Sequence, residues 1–143
     1  MVRNAKLARE GDCVSNDELF QAAVKAAGMA YSKYSGFSVG AALLTDDGKL
    51  FTGCNIENAS YSLTNCAERT SIFKAVSEGY VKFVAIAIAG SIDKDFSKPC
   101  YPCGACLQVM SEFCGNDLKI VLSDGVYKLS DFLPKRFSEE SMK

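Results

Sequence analysis

The sequence predicts a three-layer α/β fold, a five-stranded mixed sheet covered by helices on its faces, in a single domain spanning residues 1–143. Three observations carry this expectation. Apolar periodicities succeed one another in the order α-β-β-α-β-α-β-β. Phe83-Val84-Ala85-Ile86-Ala87-Ile88-Ala89 is a continuous apolar run directly after a helix, the pattern of a central strand covered on both faces. Two Asp-Gly turns, Asp47-Gly48 and Asp124-Gly125, each return one strand upon the next.

The first helix begins at Ser15-Asn16-Asp17-Glu18, a capping box in which Ser15 accepts from the amide of Glu18 and Glu18 reaches back to that of Ser15. Leu19, Ala22, Ala23, Ala26, Ala27 and Ala30 keep an i, i+3, i+4 rhythm to about Lys33, and their small size lets this helix approach its neighbour closely. Tyr34-Ser35-Gly36 breaks it, and Phe37 to Leu44 reads as a largely buried strand. Asp46-Asp47-Gly48 turns that strand into a partner running from Lys49 to Cys54, with Leu50 and Phe51 as packing residues. Asn55 to Thr64 is polar and without period, a loop carrying amide, carboxylate and hydroxyl groups.

Asn65 or Thr64 can cap a second helix whose inner face includes Ile72, Ala75 and Val76 and which Gly79 can end. After the central run, Ser91 to Lys98 reads as an exposed loop. Pro102 then leads into a helix from Cys103 to about Phe113, stopped by Gly115. Lys119 to Leu122 and Val126 to Leu129 form the second hairpin, Ser130 to Leu133 a helical turn stopped by Pro134, and the tail after Phe137 is polar.

Composition narrows the function. Apolar residues make up 48% and charged residues 23% of the chain, a globular balance, and the net charge of -1 comes without a basic cluster that would follow a phosphate backbone. A small substrate is expected rather than nucleic acid. The stretch MVRNAKLAREGD holds no apolar run of signal-peptide length, and no run approaches a membrane span, so a cytoplasmic enzyme is expected. The seven cysteines, without a secretory signal, point to thiols and metal ligands rather than disulfides. Histidine is absent, so a metal site must use cysteine or carboxylate.

Two segments supply such a site, Asn65-Cys66-Ala67-Glu68-Arg69 and Pro102-Cys103-Gly104-Ala105-Cys106. Cys103 and Cys106, three apart on one helix, share a face and can take two corners of a zinc tetrahedron, and Cys66 opens the other helix. Helix amino termini favour thiolate over thiol. Three ligands leave one corner for a water, whose pKa zinc lowers from ~15.7 to about 7. Glu68 is placed to shuttle protons there. It lies about 200° round an ideal helix from Cys66, so the two converge only at a helix end. Its structural alternative is a capping-box glutamate after Asn65. Three thiolates and one zinc leave a net -1, and Arg69 is the cation expected to compensate by hydrogen-bonding ligand sulfurs. Cys100 as a fourth ligand would close the site and make it structural, and a C-x-x-C redox pair would leave Cys66 and Glu68 unused. Cys13, Cys54 and Cys114 read as buried small hydrophobes.

With these motifs the chain resembles the free-nucleoside cytidine deaminases, a zinc-dependent, typically homotetrameric family. The likeness rests on Tyr34 to Leu43, Gly53 to Ala59, Cys66-Ala67-Glu68-Arg69-Thr70 and Pro102 to Cys106, in the family's order. It implies hydrolysis of cytidine and deoxycytidine to uridine and deoxyuridine in pyrimidine salvage, with zinc-bound hydroxide attacking C4 and Glu68 moving protons to N3 and the leaving amine. It further implies one Zn2+ per chain on Cys66, Cys103 and Cys106. Asn55 and Glu57 would then bind the ribose 3'-hydroxyl, Ala67 and Glu68 read the pyrimidine edge, Phe37 packs on the base, and Phe137 reaches an adjacent subunit's substrate. Cys100-Tyr101 before Pro102 and Leu107 in place of a family arginine depart from the pattern. A polynucleotide deaminase, a deaminase of a cytosine-containing antibiotic and a non-enzymatic zinc module are the competing readings.

Overall fold

A computed structural model describes residues 13–143, and the reading of MVRNAKLAREGD falls outside them. The chain runs through α1 (Asn16–Ala27), β1 (Ser38–Thr45), β2 (Leu50–Cys54), α2 (Ala67–Ser77), β3 (Phe83–Ser91), α3 (Gly104–Phe113), β4 (Lys119–Leu122), β5 (Gly125–Lys128) and α4 (Leu129–Phe132), with 3-10 turns at Tyr61–Leu63 and Glu139–Met142. The five strands form one sheet in the order β2-β1-β3-β4-β5. β3 is central, antiparallel to β1 and parallel to β4, so the sheet is mixed as expected.

Alternation along the strands separates two cores. Gly40 and Ala42 of β1 and Ala85, Ala87 and Ala89 of β3 face α1, where Leu19, Ala23 and Val121 complete the layer. Ala41, Leu43, Ile86, Ile88 and Ile120 face the opposite side, packed against Ile72 and Ala75 of α2 and Cys106, Leu107 and Met110 of α3. The small residues on the first face are what closeness demands. A Cβ on Gly40 would lie 1.9 Å from the carbonyl oxygen of Ala23, so α1 rests its backbone directly on β1.

The capping box of α1 forms as read, with Ser15 Oγ accepting from the Glu18 amide at 3.1 Å and Glu18 accepting from the Ser15 amide at 2.9 Å. The helix stops at Ala27, earlier than the apolar rhythm implies. Tyr31 is the physical reason. Its amide donates to Asn55 at 3.0 Å and its carbonyl accepts from Glu57 at 2.8 Å, an extended pairing that helical backbone cannot make. Strand and hairpin positions agree with the sequence to within a residue or two. Among the described residues no helix is long and apolar enough to cross a membrane.

Candidate metal centre and its surroundings

The second and third helices both begin on a cysteine. Cys66 is the N-cap of α2 and Cys103 the N-cap of α3, each with extended backbone (ψ 156° and 165°). This corrects the expected cap. Asn65 cannot serve, because its amide and carbonyl exchange 3.0 Å hydrogen bonds with Ile56, closing the 55–65 loop at its base. Its side chain instead donates to Thr70 Oγ1 at 3.1 Å. Glu68 is consequently the second residue of α2, not the third, and its capping-box alternative lapses.

Cys106 comes round one turn of α3 beneath Cys103, whose sulfur accepts from the Cys106 amide at 3.5 Å. The Sγ atoms of Cys66, Cys103 and Cys106 lie within 4.8 Å of one another, with Cys66 and Cys103 3.8 Å apart. Three soft donors converging from two helix ends suit one zinc ion. Arg69 stands beside them, its Nη2 donating to Cys66 Sγ at 3.3 Å, and its buried Nε finds no hydrogen-bond acceptor among the described residues. A guanidinium aimed at sulfur with a donor to spare fits a centre rich in thiolate charge.

The electrostatics agree. Cys66 is held down to about 5 by its neighbours, Cys106 first, then Arg69 and Cys103, against the opposing effect of burial. Cys106 is pushed up by the adjoining Cys66 and by burial, and Arg69 is raised by the sulfurs it faces. Glu68 is only 4% exposed, and burial, with the Cys66 charge added, pushes its carboxyl above the usual range.

The Cys100 sulfur lies outside the three-sulfur cluster, so the geometry does not favour a closed four-cysteine site, and Cys100 and Cys103 are both free thiols. Cys13, Cys54 and Cys114 also lie outside the cluster, and none is fully buried as expected: Cys13 is exposed, and Cys54 and Cys114 are half-buried.

Of the other residues expected at the site, Phe37 precedes β1, Asn55 and Glu57 follow β2, Ala67 opens α2 and Phe137 lies in the tail. Asn55 is buried, with Oδ1 accepting from the Val39 amide at 2.9 Å and Nδ2 donating to the Phe37 carbonyl at 2.8 Å. Glu57, also buried, accepts at Oε1 from the amides of Tyr34 (2.9 Å) and Ser35 (3.1 Å) and at Oε2 from the Ser35 hydroxyl (2.5 Å). The Ser35 hydroxyl leads in holding the Glu57 carboxyl below its ordinary value. Ala67 is fully buried at the first position of α2, where its amide is among the donors without an intrahelical acceptor. Phe37 is partly exposed, its ring tip over Gly90. Phe137 lies 60% exposed, its carbonyl accepting from Gln108 of α3 at 2.9 Å.

Two participants escaped the sequence reading. Ser35 read as a helix breaker, yet it organises Glu57. Gly90 falls between the apolar run ending at Ala89 and the loop from Ser91 and received no role, although a glycine inside a strand is the known mark of a close approach.

A family model described as the cytidine and deoxycytidylate deaminase zinc-binding region matches residues 14–122. A cytidine deaminase of Halalkalibacterium halodurans is 49% identical over 129 residues, covering 87% of this chain and 95% of the relative. One from Sporosarcina psychrophila is 44% identical over 131 residues, covering 88% and 93%. Among solved structures, cytidine deaminase from Burkholderia pseudomallei superposes with a TM-score of 0.78 at 48% identity, over 86% of this chain and 99% of that one. The enzyme from Mycobacterium tuberculosis gives 0.79 at 40%, over 88% and 99%.

Proposed function

The chain belongs to the cytidine and deoxycytidylate deaminase family, and on that premise we propose that it hydrolyses cytidine and deoxycytidine to uridine and deoxyuridine with release of ammonia. The observation that carries this reading is the convergence of three sulfurs within 4.8 Å beside a buried carboxylate, Glu68.

Cys66, Cys103 and Cys106 hold one zinc ion, which when bound supplies an activated water and polarises what it touches. Glu68 does the proton work. A carboxyl pushed up by burial accepts a proton more readily than a solvated one, and Glu68 passes it to N3 of the pyrimidine and then carries a second to the departing amino group. The Ala67 amide and the Glu68 side chain hold the polar edge of the ring, and Phe37 packs on its face. Arg69 steadies the charge on the ligand sulfurs.

Asn55 and Glu57 receive the ribose. Oε1 of Glu57 already accepts two amides, whereas Oε2 accepts only the Ser35 hydroxyl and keeps a lone pair for a sugar hydroxyl. The carboxylate is thus aimed before substrate arrives. A 3'-phosphodiester in its place would face this anion, which favours free nucleosides over polynucleotides.

The working assembly is a cytoplasmic homotetramer in which Phe137, exposed but tethered through its carbonyl to α3, reaches a neighbour's substrate. Light scattering on the active protein tests this, and a monomer with full activity would sink it. For the reaction, loss of cytosine absorbance is followed in a cytidine solution with zinc-loaded protein. Wild type is expected to convert the chromophore to uracil, and Glu68→Gln to keep its zinc while turnover falls by ~10²–10⁴. A folded, zinc-loaded wild type that leaves cytidine unchanged would refute the reading.

A further inference from the structure

One side chain that the reaction leaves unused, Cys100, borders it closely. Gly90 of β3 shows where. A Cβ built there would lie 2.8 Å from both the Cys100 sulfur and Cζ of Phe37, so thiol and ring tip converge on the volume that a side chain at 90 would fill. Cys100 packs with Cys66 against the core beneath α2 and α3. It is also near enough to Glu68 and Cys66 for both charges to act on it, and with burial as the larger cause its thiol is pushed up to about 11. A neutral, half-buried thiol is a small apolar surface. Its sulfur lies outside the three-sulfur cluster.

Cys100 therefore adjoins Phe37, placed on the face of the base, and lies within reach of the charge on Glu68, placed at N3, with its sulfur outside the three-sulfur cluster. The pyrimidine presents two kinds of edge. O2, N3 and the amino group need donors and acceptors, which Ala67 and Glu68 supply. The C5–C6 edge carries only C–H and needs an apolar wall. Resting on the deaminase reading, we infer that Cys100 is that wall, and that it sets whether a cytidine substituted at C5 is accepted.

Zinc content and kcat/KM for cytidine and 5-methylcytidine are measured in wild type and in Cys100→Ala, Cys100→Ser and Cys100→Leu. Dissociation constants for uridine and 5-methyluridine are measured alongside by calorimetry. One methyl group in a fitted apolar pocket changes discrimination by roughly 10- to 200-fold. Wild type should favour the unsubstituted nucleosides, Cys100→Ala should shrink that preference about tenfold or more, and Cys100→Leu should enlarge it. Cys100→Ser, close in size, should stay near wild type, and all four should hold one zinc per chain.

Unchanged preference in both Cys100→Ala and Cys100→Leu, in proteins that keep zinc and cytidine turnover, overturns the inference alone. Zinc loss in both Cys100→Ala and Cys100→Ser also overturns it, by making Cys100 a ligand. A zinc-loaded wild type that neither deaminates cytidine nor binds uridine overturns the deaminase reading, and this inference with it.

Discussion

Replacing Arg69 with glutamine should weaken zinc binding, and the structure fixes the size of the loss. Nη2 stands 3.3 Å from Cys66 Sγ, where opposite unit charges attract by about 5 kcal/mol at an effective dielectric constant of ~20. That figure is gross. Desolvation and solvent screening reduce charged hydrogen bonds to ~1.5–3 kcal/mol net, and glutamine restores a neutral donor worth ~0.5–1.5. Taken end against end, the difference is on the order of 1–1.5 kcal/mol, roughly 5- to 13-fold in zinc affinity, at the lower edge of the range for residues that support metal ligands. Competition of the protein with a chromogenic zinc chelator measures it directly. Arg69→Lys, which keeps the charge and loses the fork, should fall between wild type and glutamine. Zinc affinity in Arg69→Gln within about threefold of wild type would show that the guanidinium does not carry the compensating charge.

Two further perturbations probe the frame around the site. Gly40→Ala puts a methyl 1.9 Å from the Ala23 carbonyl, backbone against backbone, so urea unfolding should show a loss of ~1–3 kcal/mol or more while the folded fraction keeps its turnover; unchanged stability would mean α1 does not rest on β1 as described. Glu57→Gln tests the clasp on Tyr34 and Ser35. Because the folded-state carboxyl is lowered, its charge stabilises the protein above the unfolded value near ~4.3 and that contribution fades as pH falls through the lower folded value. The variant should therefore be less stable than wild type at pH ~7, with the gap narrowing as pH falls below ~4.3 in a series of paired urea melts, and a gap that stays constant down to the acid end of the series would contradict the clasp.

What was legible in the sequence were the features that depend on neighbours a few residues away. The capping box of α1, both Asp-Gly hairpins and the apolar run of β3 stand where local spacing puts them, because turn chemistry and side-chain period act within one element. The three cysteines are also brought together, since each stands at the cap or in the first turn of a helix whose start the sequence places to within one or two residues. The end of α1 was not legible. Its apolar rhythm continues past Ala27, but pairing of Tyr31 with Asn55 and Glu57, over twenty residues on, claims that backbone first. Asn65 was misread for the same reason, its amide being taken by Ile56 rather than freed for a cap. The roles of Ser35 and Gly90 depend on contacts across the sheet that no local pattern encodes.

That Cys66 is itself the cap resolves a difficulty in the sequence. Inside a helix, residues two apart point about 200° away from one another, and Cys66 and Glu68 could not address one centre. With Cys66 extended at ψ 156°, its sulfur leaves the helix axis and meets Cys103 at 3.8 Å, while Glu68 turns inward from the first turn into a 4% exposed position. Cys103 repeats the device on α3. Two helix amino termini, each equivalent to roughly half a positive charge, therefore face the same three sulfurs, with Arg69 as a full charge beside them. Three thiolates and one zinc ion sum to a single negative charge. The two helix ends and the guanidinium bring roughly two positive charges towards it. Placing two of the three sulfurs at caps thus brings the offsetting charge with them, and leaves the Glu68 carboxyl clear for the proton role proposed above.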